Sequence, residues 1–264
     1  MEDYNEGPPL LSEGDRLMLP TKKTPRTYDY RNFSGLIYGR PKIGKSTFCA
    51  GLDSGKVLFL DTEDGTKHLD VFTVKISKWA DAVQAARDLL TTDHEFSLVV
   101  VDTVSALREM AIDHALNELR APSITSGKFS AHGRGWMVVN SEMTKLWNML
   151  LAGRFGVYFV DHEKQVETTM DGEIIKPDDT YQGQRILKVQ PSLGGKSGLA
   201  LKGLCDLVLR ATINERGERV LQTSNTATIE AGDRSGVLPA EMPLDPNQYV
   251  AFFREAHKNA IKEG

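Results

Sequence analysis

One stretch near residue 40 leaves this chain few folds to choose from. Leu36-Ile-Tyr38 is a short apolar run that stops at Gly39. Arg40, Pro41, Lys42 and Ile43 then lead into Gly44-Lys45-Ser46-Thr47. The spacing fits G-x-x-x-x-G-K-[ST], a loop that folds around phosphates. A triphosphate needs several backbone N–H groups aimed at one spot, and a loop closing onto a helix supplies them. Gly39 and Gly44 permit backbone angles that a side chain would obstruct. Lys45 is placed to reach the β- and γ-phosphates of ATP, and the Ser46 hydroxyl to ligand Mg²⁺. Leu36-Ile-Tyr38 reads as a buried strand and Ser46-Thr-Phe-Cys-Ala50 as the start of a helix. The loop therefore sits between a strand and a helix of an α/β fold with a mainly parallel sheet, flanking helices and C-terminal hairpins.

Two further apolar runs end in carboxylates. Val57-Leu-Phe-Leu60 delivers Asp61, Glu63 and Asp64, and Leu98-Val-Val-Val101 delivers Asp102. In open α/β sheets ligands gather at the carboxyl ends of strands, so these acids fall on the edge that carries the phosphate loop. Asp102 stands where a Walker B carboxylate holds Mg²⁺. ATP hydrolysis also needs a carboxylate to orient or deprotonate water. The residue after Asp102 is Thr103, so the base comes from elsewhere. Glu63 is the best placed, with Asp61 and Asp64 as substitutes, although the three also fit solvated strand ends.

The rest of the chain of 264 residues suits one large domain with an appendage. We divide it into a lead-in over 1–30 broken by four prolines, an ATPase core over 31–240 and a helical tail over 241–264. Cys49 and Cys205 are far apart in apolar settings, which points to a reducing cytoplasm and not to a disulfide framework. No apolar run is long enough to span a bilayer, and Met1-Glu-Asp-Tyr lacks the charge pattern of a signal peptide. A net charge of −4 gives no global attraction to nucleic acid, so any such contact must be local. Val71–Ile76 reads as a strand, and Ser77 as the N-cap of a helix through 81–90. Helical spacing returns over 106–119 and 136–151. The loop 122–135 between them holds Lys128, His132 and Arg134 and no acid, and suits either phosphate contact or a solvated lid. Residues 165–175 read as a hairpin turning at Asp171-Gly172. Arg185, Lys188, Lys196 and Lys202 then lie in a stretch that Gly194, Gly195 and Gly198 make mobile. Residues 207–213 and 220–224 flank a turn.

Three segments carry a resemblance to the RecA superfamily. Val57–Gly65 looks like the strand ending in that family's catalytic Glu. Leu98–Leu107 resembles its Walker B segment, and Gly156-Val-Tyr-Phe-Val-Asp161-His162 resembles the strand ending in a residue that senses the γ-phosphate. The chain resembles in particular the bacteriophage RecA-core-only nucleotide-binding ATPases, some of which act in annealing and recombination. The resemblance implies His162 as sensor, and Arg234 as a finger reaching a neighbour's ATP, although Gly232 stands where the Lys-x-Arg-x-Gly element has Lys. It implies a ring or filament with ATP between subunits, and single-stranded DNA held by two loops that here contain Lys128 and Arg134, and Arg185, Lys188 and Lys196. A single-strand-binding protein is a candidate partner, and a phage-encoded chain would work in the host cytoplasm. A ring helicase or its loader, a P-loop small-molecule kinase and a nucleotide-switched scaffold that barely hydrolyses share much of this chemistry.

Overall fold

In the computed structural model, residues 20–53, 55–125, 133–176 and 179–263 are described. The strands are Ser34–Gly39 (β1), Val57–Asp61 (β2), Phe72–Lys75 (β3), Leu98–Asp102 (β4), Gly156–Thr168 (β5), Ile186–Pro191 (β6), Leu207–Ile213 (β7), Arg219–Gln222 (β8), Gly232–Asp233 (β9) and Glu241–Pro243 (β10). The helices are Lys45–Ala50 (α1), Trp79–Thr91 (α2), Val104–Leu119 (α3), Arg134–Leu151 (α4), Gly195–Leu204 (α5) and Pro246–Glu263 (α6). Strands β2 and β4 are apolar up to their final Asp and buried throughout, as strands covered on both faces must be.

The sheet runs β10-β8-β7-β1-β5-β4-β2-β3. Pairing is parallel from β7 through β3, and the β8 and β10 end is antiparallel. This is the mainly parallel α/β sheet with flanking helices that was expected, with β5 inserted between the phosphate-loop strand and the Asp102 strand. One apolar layer joins one sheet face to α2, α3, α4 and α5 through residues such as Leu60, Trp79, Leu107, Met143, Trp147 and Leu201. The other joins the opposite face to α1 and α6 through Phe48, Tyr249 and Phe253. Helix α6 is tied in further by a 2.9 Å hydrogen bond between the Tyr158 and Tyr249 hydroxyls.

Two local expectations need correction. Helix α2 begins at Trp79, and Lys78 is its N-cap, not Ser77. The Asp81 carboxylate reaches back and accepts the Ser77 and Lys78 N–H groups at 3.0 and 3.1 Å, which fixes the helix start. The glycine-containing stretch after residue 185 is β6 followed by α5, not an open loop. Gly198 lets α5 close on the preceding chain, since a Cβ there would lie 2.2 Å from the Leu193 carbonyl oxygen. The expected hairpin at Asp171-Gly172 is present: Gly172 N–H donates to Thr169 O at 3.0 Å, Ile175 N–H donates to Glu167 O at 2.9 Å, and Thr168 bridges Ile174, while β6 pairs antiparallel along Glu163–Thr168 of β5.

Candidate nucleotide site

Parallel register brings residues of five strands to one edge. Gly39 pairs with His162 and with Ala211, and Asp61 pairs with Asp102. The phosphate loop leaves β1 at Gly39, where φ is 157° and a Cβ would meet the Ala211 carbonyl oxygen at 2.2 Å. Gly44 closes the loop at φ 115°, in the region that favours glycine. Lys45 is buried, and its ammonium donates to the carbonyls of Gly39 and Arg40 at 2.9 Å each. Burial pulls its pKa below the ordinary lysine value, against the attraction of Asp102, Asp161, Glu163 and Glu63.

Ser46 Oγ donates to Asp102 Oδ2 at 2.5 Å, so the two sequence-predicted metal ligands touch. Burial raises the Asp102 pKa; the Ser46 hydrogen bond and Lys45 oppose the rise, while Asp61 and Glu63 add to it. Two hard oxygen donors side by side suit Mg²⁺, which takes few protein ligands and completes its shell with water and phosphate. Among the described residues no cluster of three His, Cys, Asp or Glu forms a self-sufficient metal cage.

Glu63 lies beyond the end of β2, on the far side of Asp102 from the loop. Its Oε1 accepts the Thr103 hydroxyl at 3.1 Å, and its Oε2 is 3.6 Å from His162 Nε2. The structure thus brings together Lys45, Ser46, Asp102, Glu63 and His162. The two named substitutes for Glu63 are otherwise engaged. Asp61 accepts the N–H groups of Glu63, Gly65 and Thr66 and the Thr66 hydroxyl, and builds the turn after β2. Burial opposes its charge, but these hydrogen bonds prevail and hold its pKa below the usual carboxylate value. Asp64 faces Lys75 at 2.9 Å.

Sequence reasoning missed two carboxylates. Asp161, fully buried, accepts the Ser105 hydroxyl at 2.5 Å and the Leu193 N–H at 2.6 Å, linking β5 to α3 and to the chain entering α5. Burial raises its pKa against those hydrogen bonds. Glu163 accepts from Arg40 and Arg210, at 3.1 Å each, and so anchors the loop arginine to β7. The buried aspartate at the end of the β5 run was the available signal for the first; nothing local marks the second.

The remaining candidates lie elsewhere. Arg234 follows β9 at the opposite edge of the sheet, where its N–H donates to Asp206 O at 3.0 Å and its guanidinium to Gly203 O at 3.0 Å. Its side chain is 61% exposed. Lys128 and His132 fall outside the described residues, and Arg134 is exposed at the first turn of α4. Arg185 is not free to meet phosphate unaided, because it pairs with Glu167 at 2.6 Å, and Lys202 pairs with Glu230 at 2.5 Å. These acids come from other segments, which is why an acid-free local stretch misled. Lys188 is half-buried on β6 and Lys196 exposed on the first turn of α5. Among the described residues no helix is long and apolar enough to cross a membrane.

A family model described as an AAA domain matches residues 31–235. No protein of curated function matches the chain. Among solved structures, the crystal structure of the RadB recombinase aligns with a TM-score of 0.38 at 19% identity, over 74% of this chain and 81% of that one. The matched span contains the phosphate loop, Asp102, Glu63, His162 and Arg234, and the chain belongs to the AAA domain family of P-loop nucleotide-binding proteins.

Proposed function

We propose that the protein is an Mg²⁺-dependent ATPase that assembles head to tail on single-stranded DNA and serves recombination, by annealing or strand exchange. The observation that carries the hydrolytic reading is the convergence of Ser46 with Asp102 and of Glu63 with His162 on the edge holding Lys45. Residues 39–47 wrap the phosphates, and Lys45 exchanges its two loop carbonyls for β- and γ-phosphate oxygens. Ser46 and Asp102 hold the metal, which when bound supplies positive charge to those oxygens. Glu63, steadied by Thr103, orients water and takes its proton, and His162 beside it senses the γ-phosphate. Arg234, remote from this site within its own chain, reaches the site of a neighbouring subunit. Lys188, Lys196 and Arg134 supply DNA phosphate contacts, with Lys128, and Arg185 joins them once released from Glu167. The phage origin, the single-strand-binding partner and the cytoplasmic setting belong to the same reading and rest on the resemblance.

The deciding experiment is steady-state ATP hydrolysis with and without single-stranded DNA, at two salt concentrations and with Mg²⁺ or EDTA. Stimulation by DNA that fades as salt rises is the expected result. Metal-dependent turnover indifferent to DNA removes the recombination reading and favours a loader or scaffold; a phosphorylated small molecule among the products favours a kinase.

A further inference from the structure

The triphosphate must leave the loop in one direction. Glu63, His162 and Asp102 occupy the β5-β4-β2 side, so the reacting end points there and the nucleoside lies on the other flank, beside β7 and β8. On that flank two side chains close on Gly44. A Cβ placed on Gly44 would lie 3.4 Å from Leu244 Cδ2 and 3.7 Å from an Arg219 guanidinium nitrogen. Arg219 opens β8, and its carbonyl accepts the Leu244 N–H at 2.9 Å, which holds the two residues together. Ile213 stands directly opposite Arg219 in the antiparallel ladder, so their side chains share a face, and Ile213 is 57% exposed.

Arg219 differs from the other arginines around the loop, and from Lys45. Arg40 and Arg210 are held by Glu163, and Lys45 by the loop itself. The Arg219 side chain is exposed and, among the described residues, has neither a hydrogen bond nor an ion pair. A planar cation without a partner, beside two aliphatic side chains, is suited to a flat, polarisable ring, because guanidinium planes stack on aromatic faces and aliphatic groups bury them.

We propose that Arg219, with Leu244 and Ile213, forms the nucleoside end of the nucleotide site, the guanidinium stacking on the base. The inference rests on the phosphate-loop reading. Its test compares dissociation constants of ATP and of inorganic tripolyphosphate, measured calorimetrically on the full chain. Arg219→Ala weakens ATP roughly tenfold and leaves tripolyphosphate within about twofold, and Arg219→Lys, which keeps the charge and loses the plane, resembles Arg219→Ala. Unchanged ATP affinity, or an equal loss for both ligands, overturns the proposal. A wild-type chain that binds neither ligand, or a Lys45→Ala chain that binds both normally, instead removes the phosphate-loop reading beneath it. Circular dichroism confirms the fold of each variant.

Discussion

Asp102 is held at a cost to the folded protein. Burial raises its pKa, so between the ordinary carboxylate value of 3.8 and the raised one the folded chain binds more protons than the unfolded chain. Stability owed to this group therefore falls as pH climbs through that window, and the deficit persists at neutral pH. Asp102→Asn accordingly raises the melting temperature of the nucleotide-free protein at pH 7, by roughly 2–4 °C for each kcal/mol recovered, and the gain over wild type shrinks as pH falls through that window. The same variant should lose metal-dependent turnover; thermal melts between pH 4 and 7, alongside ATPase assays, check both halves. Glu63→Gln separates binding from chemistry: it retains ATP affinity and loses about 10²–10⁴-fold in turnover, the range for a removed general base. A fluorescent-nucleotide titration and a phosphate-release assay read the two quantities, and normal turnover would dismiss Glu63. The placement of Lys45, Ser46, Asp102 and Glu63 on one edge was legible because the first two belong to a run of fixed spacing and the other two follow apolar strands. Glu163 and Arg219 were not, because their meaning depends on which distant segment the fold lays beside them.

Among the elements, α6 has the least obvious duty. Phe253, 1% exposed, packs its ring against Tyr30, Phe33 and Tyr249, and Tyr249 packs on Phe48 of α1. Pro246 abuts the end of α1, where a Cβ on Gly51 would come within 2.6 Å of its ring. The helix that follows the phosphate loop is thus braced by the last helix of the chain. Phe253→Ala should cost about 3–5 kcal/mol in urea denaturation, a loss set by the cavity and the stranded rings. A cost under about 1 kcal/mol would mean that α6 is not part of the cooperative core. The amphipathic spacing of 249–262 announced this helix, but not what it covers, since helical periodicity identifies the apolar face and leaves its partner unspecified. The same gap explains the misread stretch after residue 185. Glycines there suggested mobility, whereas Gly198 admits the close approach of α5 to Leu193, and Glu167 and Glu230 arrive from outside to pair with its cations.

At the scale of the molecule, the phosphate loop and Arg234 occupy opposite edges of the central sheet, because β7 starts beside the beginning of β1 and runs past Gly39. Mixing inactive subunits tests whether they meet. Lys45→Ala chains keep the finger and lose the site, and Arg234→Ala chains do the reverse. If Arg234 acts on a neighbour, an equimolar mixture regains roughly a quarter of the wild-type rate, the share of junctions that pair an intact site with an intact arginine. A mixture as silent as its components would confine Arg234 to its own chain, where Asp206 and Gly203 already engage it. The strand ladder itself was foreseeable from the alternation of apolar runs and loops; the separation of Arg234 from Lys45 was not, since it emerges only when β7 is set in register beside β1. If Arg234 does reach a neighbour, that separation gives each molecule a plug on one end and a socket on the other. A row of such molecules would have polarity, and its two terminal members would be unlike: one would offer an arginine to nothing, and the other would hold a nucleotide that nothing completes. Short rows would then work below their headcount, long rows would approach it, and a row that bites its own tail would have no idle end at all.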